Sequence, residues 1–205
     1  MPSLSLQSYI PEIALAAALA WGSGLRLYAV LFAVGLAGMS GWLQLPQHLS
    51  VLANPLVIGA SGFMTLVEFG ADKLPWLDSL WDAVHTFIRI PAGAALAAGV
   101  FGSSEASVSI AAAVLGGTIA AGTHLAKAGG RAAINTSPEP FSNWFASFSE
   151  DTMVPAGLWL AVAHPIGFLI ALVLFMGLAL AMLGAIVAGL AAVFRTLRNR
   201  IAAPR

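Results

Sequence analysis

The chain has 205 residues, 59% hydrophobic and 9% charged, with nine Lys+Arg balancing nine Asp+Glu, and a mean hydropathy of +0.88. Soluble domains carry about 25% charged residues, so a water-soluble globule is excluded, and the zero net charge excludes a strongly basic nucleic-acid binder. The absence of cysteine excludes disulfide frameworks, thiolate zinc sites and cysteine nucleophiles.

Apolar runs at 10–39, 51–69, 83–101, 108–128 and 153–194 are long enough to cross a bilayer, which takes roughly 20 residues. The expected fold is an all-α, polytopic transmembrane helical bundle of five or six passes. Residues 1–194 form one bundle domain and residues 195–205 a basic cytoplasmic tail. The first run carries Gly22-Ser23-Gly24 and then Arg26 near its middle, which predicts a broken first helix, because freed backbone at membrane depth must be lined by protein or water. Arg26 needs a carboxylate such as Glu68 or Asp72, a ring of carbonyls or an anionic ligand. In the last run, His164-Pro165 is the strongest breaker and leaves a short piece ahead of it, predicting a half-helix or re-entrant segment near 153–165, the alternative being two full spans with a turn near Gly177.

Cations beside a span are retained in the cytoplasm. Arg195, Arg198, Arg200 and Arg205 place the C-terminus there. Lys73, Lys127 and Arg131 place the second and fourth linkers there, with the almost charge-free first and third linkers outside, which puts the N-terminus inside too. The expected location is the cytoplasmic (inner) membrane of a bacterium. Ile90-Pro91-Ala92-Gly93 recurs as Val154-Pro155-Ala156-Gly157, a candidate internal repeat of the kind found in transporters.

Charges inside a bilayer cost about 2.5–3.5 kcal/mol each on insertion scales, so they must be paired or face water. Glu68 and Asp72 share one helical face before Pro75; beyond it, Asp78, Asp82, His85 and Arg89 form one helical stripe at spacings of four, three and four. Converging across the turn, Glu68, Asp72, Asp78, Asp82 and His85 are candidate ligands for a divalent cation or members of a proton relay. A salt-bridged cap involving Lys73 and Arg89 is the structural alternative. His124, Lys127 and Arg131 lie on one face if Gly129-Gly130 does not break the helix; they would bind an anion such as a lipid phosphate, or pair with the acids. Asn143, Glu150 and Asp151 are read as caps for the last apolar region.

Four stretches carry a resemblance: Gly24-Leu25-Arg26-x-Tyr28, Glu68-Phe69-x-x-Asp72-Lys73-x-Pro75, Asp78-x-x-Trp81-Asp82-x-x-His85-Thr86-x-x-Arg89 and Asn135-Thr136-Ser137-Pro138-Glu139-Pro140. Together they resemble a bacterial integral-membrane family known as domain of unknown function four-one-two-six. The resemblance implies a membrane location and no particular activity.

Three functions fit these residues. The first is a small transporter or channel for a cation or a proton-coupled solute, with Arg26, Glu68, Asp72, Asp78, Asp82, His85, Arg89, His124, Lys127 and Arg131 as candidate transport or ligand residues. The second is a non-catalytic membrane scaffold. The third is a metal-dependent enzyme on a lipid-linked phosphate. The expected partners are the lipid bilayer, a small ion or solute and a second copy of the chain, with no nucleic acid. A divalent cation is the one cofactor the acidic cluster calls for.

Overall fold

The structure is a computed structural model that describes residues 6–134 and 141–202. Among these the fold is all-α: helix α1 Leu6–Met39, a short 3-10 helix Gln47–Ala53, then α2 Pro55–Ala71, α3 Pro75–Val100, α4 Ala106–Ile134, α5 Phe141–Ala163 and α6 Pro165–Ala202. Asn135 to Pro140, the last stretch of the resemblance, lie outside the described residues, as does Arg205.

Local chemistry sets the boundaries. The Asn54 side chain caps α2 by accepting from the Leu56 amide at 2.9 Å, ahead of Pro55 at the first helical position. Pro75 and Pro165 open α3 and α6 in the same way, since proline tolerates the first turn, where its missing N–H has no partner to lose.

Helix α1 breaks where its glycines and arginine predict. Arg26 leaves helical geometry with φ −146° and ψ 76°, and the two limbs then lie side by side. A Cβ on Gly22 would sit 2.6 Å from Val30 Cγ2. Leu15 lines one cavity with Ala33, Val34 and Ala37, although residues 15 and 34 of a straight helix are about 28 Å apart. The limb before Arg26 is about 30 Å long and the limb after it about 20 Å.

This reversal corrects the expected topology. Pro11 and Glu12 lie beside Leu43 to Gln47, so the start of α1 shares an end of the bundle with the first linker. The expectation of an N-terminus opposite that linker assumed one uninterrupted crossing. A second correction concerns the segment near 153–165. It is not a half-helix but the second part of α5, continuous from Phe141 to Ala163. The apolar run only begins at Met153 because the first part of α5 presents Asn143, Ser147 and Glu150 inward. The expected break at His164-Pro165 is present as the α5–α6 junction. The residues from Arg195 to Ala202 continue α6.

Among the described residues, four helices are long and apolar enough to cross a membrane, or five if the 3-10 helix and α2, bent by 67°, count as one span. The limbs of α1 occupy the centre. Ala14, Ala16, Ala17, Ala18, Leu19 and Ala20 are all buried there, and the small side chains let α3 and α4 approach. A Cβ on Gly24 would meet the Ala120 carbonyl oxygen at 2.5 Å, and one on Gly93 would meet Ala120 Cβ at 2.5 Å. Without a hydrophobic force between helices in lipid, such close backbone packing is what associates them. The outer faces of α2, α3 and α6 carry the exposed Leu56, Phe63, Phe87, Val173 and Leu178, an apolar surface consistent with a lipid surround.

Candidate functional site

The polar residues gather where the tip of α1 meets the C-terminal ends of α2 and α4 and the N-terminal parts of α3 and α5. On α3 the predicted stripe forms: Asp78, Asp82, His85 and Arg89 are all buried. On α4, Gly129-Gly130 does not interrupt the helix, and His124, Lys127 and Arg131 share a buried face. On α5, Asn143, Ser147 and Glu150 form a third stripe that continues as Val154, Leu158 and Ala161.

Glu68, Asp72, Asp82, Glu150 and Asp151 pair there with Arg26, Lys73, Arg89, Lys127 and Arg131, with the buried Asp78 beside them. Arg26 Nη1 lies 2.6 Å from Asp72 Oδ2, and its Nη2 lies 3.0 Å from Asp151 Oδ1 and 3.7 Å from Glu150 Oε2. Nη2 also donates to Ser147 Oγ at 3.0 Å and to the Ser147 carbonyl at 3.2 Å. Arg89 bridges the two helices around Pro75, pairing with Glu68 through Nη2 and with Asp82 Oδ1 at 2.7 Å through Nη1. Arg131 Nε donates to Glu150 Oε1 at 3.1 Å, and its Nη1 donates to Asn143 Oδ1 at 2.6 Å. Asn143 in turn donates to the Asp72 carbonyl at 2.8 Å, tying α5 to the α2–α3 turn.

Lys127, like Arg26, is shared among three carboxylates. Its ammonium lies 3.2 Å from Glu150 Oε2 and 3.5 Å from both Asp72 Oδ2 and Asp82 Oδ1. It also donates to the Leu25 carbonyl at 3.1 Å, beside the break at Arg26. The interrupted backbone and the charge cluster are therefore physically joined.

At the rim, Lys73 lies 4.0 Å from Asp151 and donates to Ser147 Oγ at 3.0 Å, with its ammonium 3.4 Å from the Phe69 ring centroid. Asp72 and Lys73 sit in the turn between α2 and α3. Burial pushes the Asp72 carboxyl up, but Lys127, Arg26 and Arg131 outweigh it and hold the group below its ordinary value. Burial pulls the Lys73 ammonium below its ordinary value against the upward influence of Asp151.

The histidines stand beside this network. The Trp81 carbonyl can only accept, so His85 Nδ1 carries the proton of their 2.8 Å bond and Nε2 accepts from Tyr28 Oη at 3.1 Å. His85 also stacks on Trp81. Arg89 has no lone pair, so His124 Nδ1 accepts from it at 3.2 Å and Nε2 donates to Thr86 Oγ1 at 2.7 Å.

Glu68, Asp72 and Asp82 thus converge as expected across the α2–α3 turn, but onto arginine and lysine. Among the described residues no three His, Asp or Glu side chains are drawn together as the expected divalent-metal site requires. The basic face of α4 meets carboxylates rather than an open anion pocket. Glu150, Asp151, Asn143 and Ser147 belong to the site through these contacts, and the first three do not cap the last apolar region. The signal for them was the spacing of 143, 147 and 150, which matches a helical face.

Residues 13–185 match the family described as Domain of unknown function (DUF4126). The chain belongs to this family. The match begins within the first limb of α1 and takes in every residue of the ion-pair network. No curated protein and no solved structure matches the chain.

Proposed function

We propose that this chain is a small membrane transporter or channel for a cation or a proton-coupled solute, and that the ion-pair network is its working part. The observation that carries this reading is the meeting of the network with the break in α1. Lys127 bonds the Leu25 carbonyl while sharing three carboxylates. Non-helical backbone at membrane depth is tolerated where it lines a cavity or site, and discontinuous helices with polar partners are a recurrent basis of solute binding.

Energetics support the same reading. Buried ion pairs are often no more stable than apolar residues of similar volume, and the small-residue packing around Ala120 already associates these helices. Ten interlocking charges are therefore an expensive way to associate helices that small-residue packing also draws together. Asp72 and Asp82 would carry the transported charge, Arg26 and Arg89 would balance it, and Arg131 with Glu150 would tie α4 to α5. We further propose that the basic end of α6 faces the cytoplasm, by retention of its arginines.

One observation favours a scaffold instead: each of the five network carboxylates has a cation within 4.0 Å. Flux separates the two readings. Purified protein is reconstituted into sealed vesicles carrying a trapped pH-sensitive or potassium-sensitive dye. Transport predicts dye responses above those of protein-free vesicles when a proton or potassium gradient is imposed. No response to either, nor to sodium, leaves the scaffold.

A further inference from the structure

The position of the Lys127 ammonium has the form of a cation site. Four oxygens surround it: the Leu25 carbonyl at 3.1 Å, Glu150 Oε2 at 3.2 Å, and Asp72 Oδ2 and Asp82 Oδ1 at 3.5 Å. They come from α1, α5, the α2–α3 turn and α3, while the lysine arrives from α4. Two carboxylates of this cage have further capacity. Among the described residues, Asp72 Oδ1 and Asp82 Oδ2 are buried and accept no hydrogen bond, although Asp72 and Asp82 are 0% and 3% exposed.

The charge count specifies the occupant. Glu68, Asp72, Asp82, Glu150 and Asp151 are paired there with Arg26, Lys73, Arg89, Lys127 and Arg131, and the buried Asp78 lies beside Asp82 on α3, so each cation withdrawn shifts the core by one negative charge. The three arginines cannot be deprotonated in proteins, so their charges are fixed. Lys127 brings instead a compact ammonium on a flexible stem, and is the more deeply buried of the two lysines at the site. Withdrawing it removes one positive charge, which a single monovalent cation restores. The oxygen distances also argue for size. Magnesium takes oxygens at about 2.0–2.1 Å and calcium at about 2.3–2.6 Å, well inside this cage.

We propose that Lys127 is a tethered occupant of a cation site, and that the free ion able to take its place is a large monovalent cation of the ammonium or potassium class. This deepens the transport reading and rests on it for its meaning in the cell. When the ammonium swings out, the cage is left for a free ion, and the Leu25 carbonyl at the break of α1 loses its donor. Occupancy of the site and the geometry of the α1 break are thereby coupled through one atom.

The test is equilibrium binding, with no membrane gradient. Lys127→Ala protein in detergent is unfolded thermally in chloride salts of ammonium, potassium, sodium and N-methylglucamine at equal ionic strength. Ammonium or potassium is expected to raise its midpoint in a saturable way, because a ligand that binds only the folded state stabilises it with concentration. Sodium should act weakly and N-methylglucamine not at all, and wild-type and Lys127→Arg proteins should be insensitive to the choice of salt. Lys127→Ala/Asp82→Asn, whose core has the net charge of the wild type, should fold and lose the dependence. A Lys127→Ala midpoint equal in all four salts overturns the proposal, as does a response to sodium alone or a protein that folds in none of them. A flat response with vesicle flux intact removes this site and leaves the transport reading; saturable binding without flux does the reverse.

Discussion

Arg26 and Asp72 lie 2.6 Å apart, joining the broken tip of α1 to the turn after α2. Both are buried, with Arg26 at 1% and Asp72 at 0% side-chain exposure. The pair fixes the one place where α1 leaves helical geometry against the one polar turn inside the network.

Removing a single partner of a buried pair typically costs about 3–5 kcal/mol, because the other charge stays buried. Asp72 keeps Lys127 at 3.5 Å and Arg131 at 3.7 Å, so Arg26→Gln should lie at the low end, near 3 kcal/mol. Thermal or chemical unfolding in detergent measures this loss. Arg26→Gln/Asp72→Asn should lose less than the sum of the single variants.

The approach of α1 to α4 is tightest at Gly24, where a Cβ would lie 2.5 Å from the Ala120 carbonyl oxygen and 2.8 Å from Thr123 Cβ. Gly24→Ala should destabilise by about 1–3 kcal/mol, the usual cost of overpacking. Gly177 on α6 has open space at the same position, so Gly177→Ala should be neutral or gain up to about 1 kcal/mol from helix propensity. Paired unfolding curves in one detergent check both.

Asp72 also gives the network an acid limit. Its carboxyl is held below the ordinary value of 3.8 in the folded chain, with Lys127 and Arg26 outweighing the effect of burial. A group with a depressed folded value contributes stability that is complete above its unfolded value and lost as pH falls through its folded one. The Asp72 contribution should therefore be constant above about pH 5 and disappear below the ordinary aspartate range. Unfolding midpoints between neutral and strongly acid pH measure it, and the Asp72→Asn protein should lack that part of the decline.

The proposed orientation can be read with cysteine labels, since the chain contains no cysteine. Ser103 follows α3 at the end of the bundle that also holds the start of α1. Arg198 lies near the other end of α6, whose 38 residues extend about 57 Å. In intact cells an impermeant maleimide should label Ser103→Cys and reach Arg198→Cys only after permeabilisation. The opposite pattern would invert the orientation.

The charged stripes were legible because a helix repeats every 3.6 residues: 78, 82, 85 and 89 on α3, and 124, 127 and 131 on α4, fall on single faces before any coordinate is known. The break at Arg26 was legible too, from Gly-Ser-Gly ahead of a charge inside an apolar run. The doubling-back of α1 was not, because hydropathy reports depth in the membrane and carries no sign of direction. Glu150 was read as a cap because the apolar run begins only at Met153; the polar turns before it are buried against other polar groups, which a hydropathy window scores as surface. Nor does spacing assign partners. Glu68 pairs with Arg89 while Arg26 takes Asp72 and Asp151, a choice made by how four helices cross.

Flux through the network in sealed vesicles tests its role most directly. The reconstituted wild-type protein should pass protons or a monovalent cation above the protein-free background. The Asp82→Asn protein, monodisperse and with unchanged helix content, should fall to that background. Equal flux from the two proteins would contradict the assignment of this ion-pair network as the transport path.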